Sequence, residues 1–174
     1  MRRRVERVLG ALEREGVRFL VVGGVAVVLH GYLRTTVDLD LVIQLDEANV
    51  LRAIEVFKRL RFEPRVPVSI ESFADESQRV RWVREKNARV FSLWHPDEPG
   101  FLVDLFVEEP FDFDERYGRA AVARLGEEDV RVLAIEDLVE MKLAAGRAQD
   151  LADVEALLRL QGAEGGEAGQ EEDS

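Results

Sequence analysis

The chain has no cysteine and only two histidines, His30 and His95. The first absence removes disulfides, thiolate metal sites and cysteine nucleophiles together. The second leaves a zinc centre short of ligands. His30 stands before Gly31 and reads as a hydrogen-bonding group at a helix end, and His95 stands beside Pro96 as a turn residue. No serine–histidine–aspartate triad suggests itself. Lysine is also scarce, at Lys58, Lys86 and Lys142 only, in a chain rich in arginine. No stretch approaches the roughly 18 apolar residues needed to span a bilayer. The N-terminal MRRRVERVLGALEREG is interrupted by Glu6, Glu13, Arg14 and Glu15, so it reads as an amphipathic helix and not as a signal peptide. These absences predict a soluble, cytoplasmic protein with no membrane partner. The net charge of −11 argues against a broad phosphate-binding surface for duplex nucleic acid.

What is present is enough to fold. Hydrophobic residues make up 47% of 174, sufficient for a real core. The segment 162–174 (GAEGGEAGQEEDS) lacks apolar periodicity and reads as an acidic disordered tail, leaving 1–161 as one domain. Apolar spacing predicts helices over 3–15, 46–60, 75–85, 135–145 and 150–160, with Asp46 as an N-cap, and a short one within VAVVLHG. VRFLVVGG, VDLDLVI, ARVFSLWH and GFLVDLFVEE read as strands, the last two paired. RAAVARLG and DVRVLA form a further pair around Gly126. RFEPRVPVSIESF, with two prolines, should be irregular or an edge strand. The expected fold class is mixed α/β (α+β): a mixed sheet flanked by helices, with a helical C-terminus.

Strand alternation sets Val37, Leu39, Leu41 and Ile43 on one face of VDLDLVI and Asp38 and Asp40 on the other. Aspartate is a poor strand former, and two carboxylates side by side repel. A hard divalent cation resolves that conflict, because it prefers carboxylate oxygens. The alternative is a solvated polar face. Asp104, set among Val103, Leu105, Phe106 and Val107, is a third carboxylate in an apolar strand, costly unless paired or metal-bound. Should its strand lie beside Val37–Ile43, three carboxylates converge.

Gly23 and Gly24 close one strand and open a helix, a turn where backbone comes close to an anion. The spacing matches neither a dinucleotide-binding fingerprint nor a P-loop. Arg34, Thr35 and Thr36 lead into the acidic strand, and Arg34 either neutralises substrate charge or makes a surface salt bridge. Lys142 falls on the apolar stripe of Ile135, Leu138 and Val139. It either snorkels to the edge of the core or points into a site. Arg147, Asp150 and Asp153 cluster around the turn after Gly146, where Asp150 is also a candidate helix cap.

The stretch GGVAVVLHGYLRTTVDLDLVI resembles the signature of the polymerase-β-like nucleotidyltransferase superfamily. EDLVEMKLAAGRAQDLADVEALL is similar to the end of its minimal, AbiEii-type toxin-like branch. Together they span about Val21 to Leu158. The resemblance implies that Asp38 and Asp40, with Asp104, are catalytic residues ligating Mg²⁺ (or Mn²⁺). It implies a nucleotide site drawn from Gly23, Gly24, Arg34, Thr36, Lys142 and Asp150. The activity implied is transfer of a nucleoside monophosphate from an NTP such as ATP to an acceptor hydroxyl on RNA, a protein or a small molecule. Gly24 departs from the pattern, since many active members have serine there, and this removes a hydroxyl donor to phosphate. It motivates a second reading: a catalytically weak or inactive nucleotide- or partner-binding module of a toxin–antitoxin type system. A chain this small encloses its site poorly, so a homodimer or a partner protein completing the cleft is compatible with either reading.

Overall fold

The computed structural model describes residues 1–167. The first helix, α1 (Arg2–Arg14), buries Val5, Val8, Leu9 and Leu12 and ends before Gly16, whose φ of +65° suits glycine. Strand β1 (Phe19–Val22) is buried throughout and runs into α2 (Gly23–Leu29). Strand β2 (Asp38–Ile43) follows a loop, then α3 (Glu47–Arg59). Asp46 caps α3 by accepting a hydrogen bond from the Asn49 amide, a contact of about 1 kcal/mol. The proline-rich middle holds only the two-residue strand β3 (Glu63–Pro64) and a 3₁₀ turn at Ile70–Ala74, as two prolines predict. Then come α4 (Glu76–Lys86), β4 (Val90–Trp94) and β5 (Leu102–Phe106). Beyond them lie α5 (Phe113–Gly118), β6 (Ala121–Leu125), β7 (Glu128–Val132), α6 (Ile135–Ala145) and α7 (Ala148–Glu167).

The strands form one mixed sheet in the order β3-β4-β5-β2-β1-β7-β6. β2 is antiparallel to β1 and parallel to β5. Helix α1 packs on β7 and α3; α2 packs on β1, β2 and α6; α6 packs on α7. The core between them includes Phe19, Phe57, Phe73 and Phe101, all essentially inaccessible. Each contributes about 1.5–3 kcal/mol. Buried Asn49 ties three elements together: its side chain accepts from the Arg18 amide and donates to the Arg18 and Gln44 carbonyls.

The structure departs from the sequence reading at three places. Val37 lies outside β2 and is 54% exposed, so the apolar face begins at Leu39. Helix α5 was not foreseen; Asp112 caps it, and its Tyr117 ring lies 4.5 Å from the guanidinium carbons of both Arg18 and Arg131. Helix α7 starts at Ala148, so Asp150 is a first-turn residue and not the N-cap. It reaches back to accept from the Arg147 amide, the returning half of a capping box. Helix α7 runs past Gly162 to Glu167, and the rest of the segment read as an acidic tail lies outside the described residues. Among the described residues no helix is long and apolar enough to cross a membrane.

Candidate active site

The parallel pairing of β2 with β5 puts Asp40 directly beside Asp104 and Asp38 beside Leu102. One row across the sheet therefore reads Val22, Asp40, Asp104, Ser92, and the row above it reads Asp38, Leu102, Trp94. Residues paired in register share a face, on strands about 4.8 Å apart. Asp38, Asp40 and Asp104 are thus brought together on one half-buried patch, while Leu39 and Leu41 turn into the core.

The patch is electrostatically unfinished. Burial, with the charges of Asp104 and Asp38, pushes the Asp40 carboxyl up to about 6, against the opposing pull of Lys142 and the Gly24 N–H. Asp38 is raised too, by burial and then by Asp104, with Arg65 opposing. The Asp104 Oδ1 atom is buried with no hydrogen-bond partner. Burying acceptor oxygens without donors is costly, and a cation is the group whose arrival would relieve all three carboxylates. Among the described residues, no group of three or more carboxylate or imidazole side chains is already disposed to hold an ion. Mg²⁺ does not require such a cage, because it commonly takes one or two carboxylates and completes its shell with water and substrate phosphate. The chemistry of the donor set fits a hard divalent ion on that basis.

The glycine turn is built against this patch. Gly23 has φ +64°, and a Cβ there would lie 2.0 Å from Asp40 Oδ2. Glycine is needed at Gly23 both for the left-handed backbone and for the close approach. A Cβ on Gly24 would fall 2.5 Å from Arg34 Nη2 and 2.6 Å from Thr36 Oγ1. Arg34 and Thr36 therefore stand over the turn. Beyond them a cavity of about 590 Å³ opens along α2 and β6, with Val25, Val28, Leu29 and Ala121 among its walls. None of the three carboxylates lines it.

On the other side, Lys142 points inward and does not snorkel: only 5% of it is exposed. Its ammonium donates to Asp153 Oδ2 at 2.6 Å and Asp150 Oδ1 at 3.4 Å. Asp153 is fully buried, and its other oxygen lies 3.2 Å from both Arg34 Nε and Gln149 Nε2. Arg147 Nε donates to Asp150 Oδ2 at 2.7 Å. Burial alone would raise the Asp150 carboxyl, but the hydrogen bonds and charge of Arg147, with Lys142, hold it below the ordinary aspartate value.

The family described as nucleotidyl transferase AbiEii toxin, Type IV TA system, matches residues 7–171. The chain belongs to the AbiEii nucleotidyl transferase family. Solved structures repeat the fold at low identity. The lincosamide antibiotic adenylyltransferase LnuA, bound to lincomycin, is 14% identical with a TM-score of 0.63, over 92% of this chain and 98% of its own. ANT(2″)-Ia in complex with adenylyl-2″-tobramycin is 14% identical with a TM-score of 0.57, over 94% and 91%. A putative nucleotidyltransferase from Thermotoga maritima is 17% identical with a TM-score of 0.55, over 90% and 91%. Comparison with curated proteins gives no match.

In this AbiEii chain the structure gathers Asp38, Asp40, Asp104, Gly23, Gly24, Arg34, Thr36 and Lys142 around one patch, with Asp150 behind Lys142. In the sequence Asp153 is only one member of a turn cluster, yet in the fold it is the residue that joins Arg34 to Lys142. A signal was available. Asp150, Asp153, Val154 and Leu157 follow the i, i+3, i+4, i+7 spacing of a buried helical stripe, and all four are buried. Two aspartates on a core-facing stripe need cationic partners.

Proposed function

We propose that this protein transfers a nucleoside monophosphate from an NTP to an acceptor hydroxyl, with Asp38, Asp40 and Asp104 as the reactive carboxylates. The observation that carries this reading is the cross-strand pairing of Asp40 with Asp104, one with its carboxyl raised to about 6 and the other with a buried, partnerless oxygen. Asp38, Asp40 and Asp104 would hold Mg²⁺ or Mn²⁺, which supplies charge neutralisation for the triphosphate and activation of the acceptor hydroxyl. The chain's own residues do the rest. Gly23 and Gly24 keep the turn bare so that phosphate comes within reach of Asp40's neighbours. Arg34 and Thr36 supply donors over the turn, and Lys142, steadied from behind by Asp150, completes the cationic side of the nucleotide site. The acceptor oxygen attacks the α-phosphorus in line and pyrophosphate leaves. Catalysis of this kind is mainly positioning and electrostatic stabilisation.

The test is incorporation of label from each of the four α-labelled NTPs, with Mg²⁺ or Mn²⁺, into cellular RNA, protein and small-molecule fractions. Incorporation lost in Asp40→Ala supports the reading. Neither incorporation nor calorimetric NTP binding with any of the four NTPs ends it. A second reading, a toxin–antitoxin component whose role is binding, takes its first part from the family's toxin description and its second from Gly24, which lacks a hydroxyl donor to phosphate. That reading requires partner or nucleotide binding to survive Asp40→Ala.

A further inference from the structure

We propose that Asp153 is a positioning residue of this site: from α7 it fixes Arg34 over the glycine turn and Lys142 beside the carboxylates, so that Arg34 occupies the space of a side chain at position 24. The inference rests on the nucleotidyl-transfer reading and assigns a role to a residue that reading does not use.

Asp153 divides its two oxygens between partners from different parts of the chain. Oδ2 takes Lys142 at 2.6 Å, and Oδ1 faces Arg34 Nε at 3.2 Å. The carboxylate is fully buried, and Arg34 and Lys142 are largely or wholly buried with it. A buried ion cluster of this kind is poor economy for stability alone, since apolar side chains of similar volume serve as well. Its distinctive product is geometry. Nε is buried 3.2 Å from Asp153 Oδ1 without a hydrogen bond, so the pair is held by charge; Nη1 donates to the Thr35 carbonyl at 3.1 Å, and Nη2 projects to the Gly24 turn. Glycine at 24 and arginine at 34 are then one device. The turn gives up a side-chain hydroxyl and receives a charged, planar donor that suits phosphate better.

This makes an unusual demand on substitution. Gly24→Ser, which restores the hydroxyl common in the superfamily, must displace a guanidinium anchored to a buried carboxylate. It therefore weakens nucleotide binding instead of improving it.

The experiment measures NTP affinity by calorimetry and the Arg34 Nε–H resonance by ¹⁵N NMR in the full chain, for wild type, Asp153→Asn, Arg34→Ala, Gly24→Ser and Gly24→Ser/Arg34→Ala. Asp153→Asn, Arg34→Ala and Gly24→Ser should each weaken binding by about 10- to 100-fold, the loss expected for a hydrogen bond to a charged group. The double variant should be no weaker than Arg34→Ala. Because Arg34 Nε is buried, its N–H signal should be protected from exchange in wild type and lose protection where the side chain is released, in Asp153→Asn and Gly24→Ser. Asp137→Asn is the control for mere loss of a buried charge. Asp137 is also buried, between Arg116 on α5 and Arg119 just after it, and its loss should lower Tm without changing NTP affinity. Tighter or unchanged binding in Gly24→Ser, or a protected Arg34 signal in Asp153→Asn, overturns the proposal. Should wild type bind no NTP, the transfer reading fails, and the Arg34 signal still decides whether Asp153 and Gly24 control that side chain.

Discussion

Two groups of aspartates lie close together in this molecule and are treated in opposite ways. Asp150 and Asp153 are buried on α7, and each has a cation within salt-bridge distance on both oxygens or shared between them. Asp38, Asp40 and Asp104 are half-buried on the sheet, and burial with mutual repulsion raises two of them while an oxygen of the third has no partner. Only the second group gains from a ligand that brings positive charge. The difference separates a neutralised cluster from the proposed reaction centre without appeal to any likeness. Acidic residues that are buried and neutralised position other groups; acidic residues that are buried and left in conflict are where chemistry is to be sought.

The largest test of that separation is on activity. Asp104→Asn and Asp40→Asn should each lower transfer by about 10²–10³-fold or more, the scale on which a single preorganised electrostatic group contributes. Both should leave the fold intact or firmer, since each removes a charge that the apo protein holds at a cost. Steady-state incorporation read beside thermal melting checks both halves. An unfolded Asp40→Asn would erase the proposed contrast.

Lys142→Met goes the other way. It strands Asp153, and to a lesser degree Asp150, in the interior. Breaking a buried pair by removing one partner costs about 3–5 kcal/mol. A clear fall in urea midpoint with an unchanged slope is expected. A loss below 1 kcal/mol, on the scale of an exposed pair, would show that solvent reaches this cluster.

These contrasts were only partly legible in the chain. Alternation placed Asp38 and Asp40 on one face, and the conflict between aspartate and an apolar strand marked Asp104. That β5 sits beside β2, in register with Asp40, depends on a parallel pairing across 60-odd residues, which no local pattern encodes. The caps Asp46 and Asp75 were readable or nearly so, because a cap is a local hydrogen bond. Helix α5 was not, because its six residues make fewer than two helical turns, too few for a repeat to register. Arg34 was seen as a cation near the site, but its anchor lies more than a hundred residues away on α7.

The Asp40 carboxyl also links the site to pH. Its value in the folded state, about 6, lies above its ordinary 3.8, so the folded protein keeps a proton that the unfolded chain releases. Below about pH 4 both states are protonated and nothing is lost. As pH rises from about 4 to 6 the folded state is progressively penalised, and above 6 the full penalty of roughly 3 kcal/mol applies. Asp40→Asn should therefore gain stability over wild type on going from pH 4 to pH 7.5, by that amount. A divalent ion should reverse the penalty, so Mg²⁺ should raise the wild-type Tm more at pH 7.5 than at pH 5 and do little for Asp40→Asn. Equal shifts in both proteins would place the ion elsewhere.

The smallest effect expected is at Asp38, and it shows how steeply the conflict falls along one strand. Asp38 shares the face of Asp40 but sits two residues nearer the exposed end of β2, opposite Leu102 and within the influence of Arg65. Its carboxyl is raised by the same causes, burial first and Asp104 second, but its position near solvent lets water screen part of the repulsion. Asp38→Asn should thus stabilise the apo protein at pH 7.5 by less than Asp40→Asn, with a shallower dependence on pH. The two substitutions together should give less than the sum of their separate gains, because each relieves repulsion felt by the other. Melting curves of the two single variants and the double variant, at pH 4 and 7.5, measure that coupling. Additive gains would mean that the two carboxylates do not sense one another, and a shared ion between them would lose its main physical support.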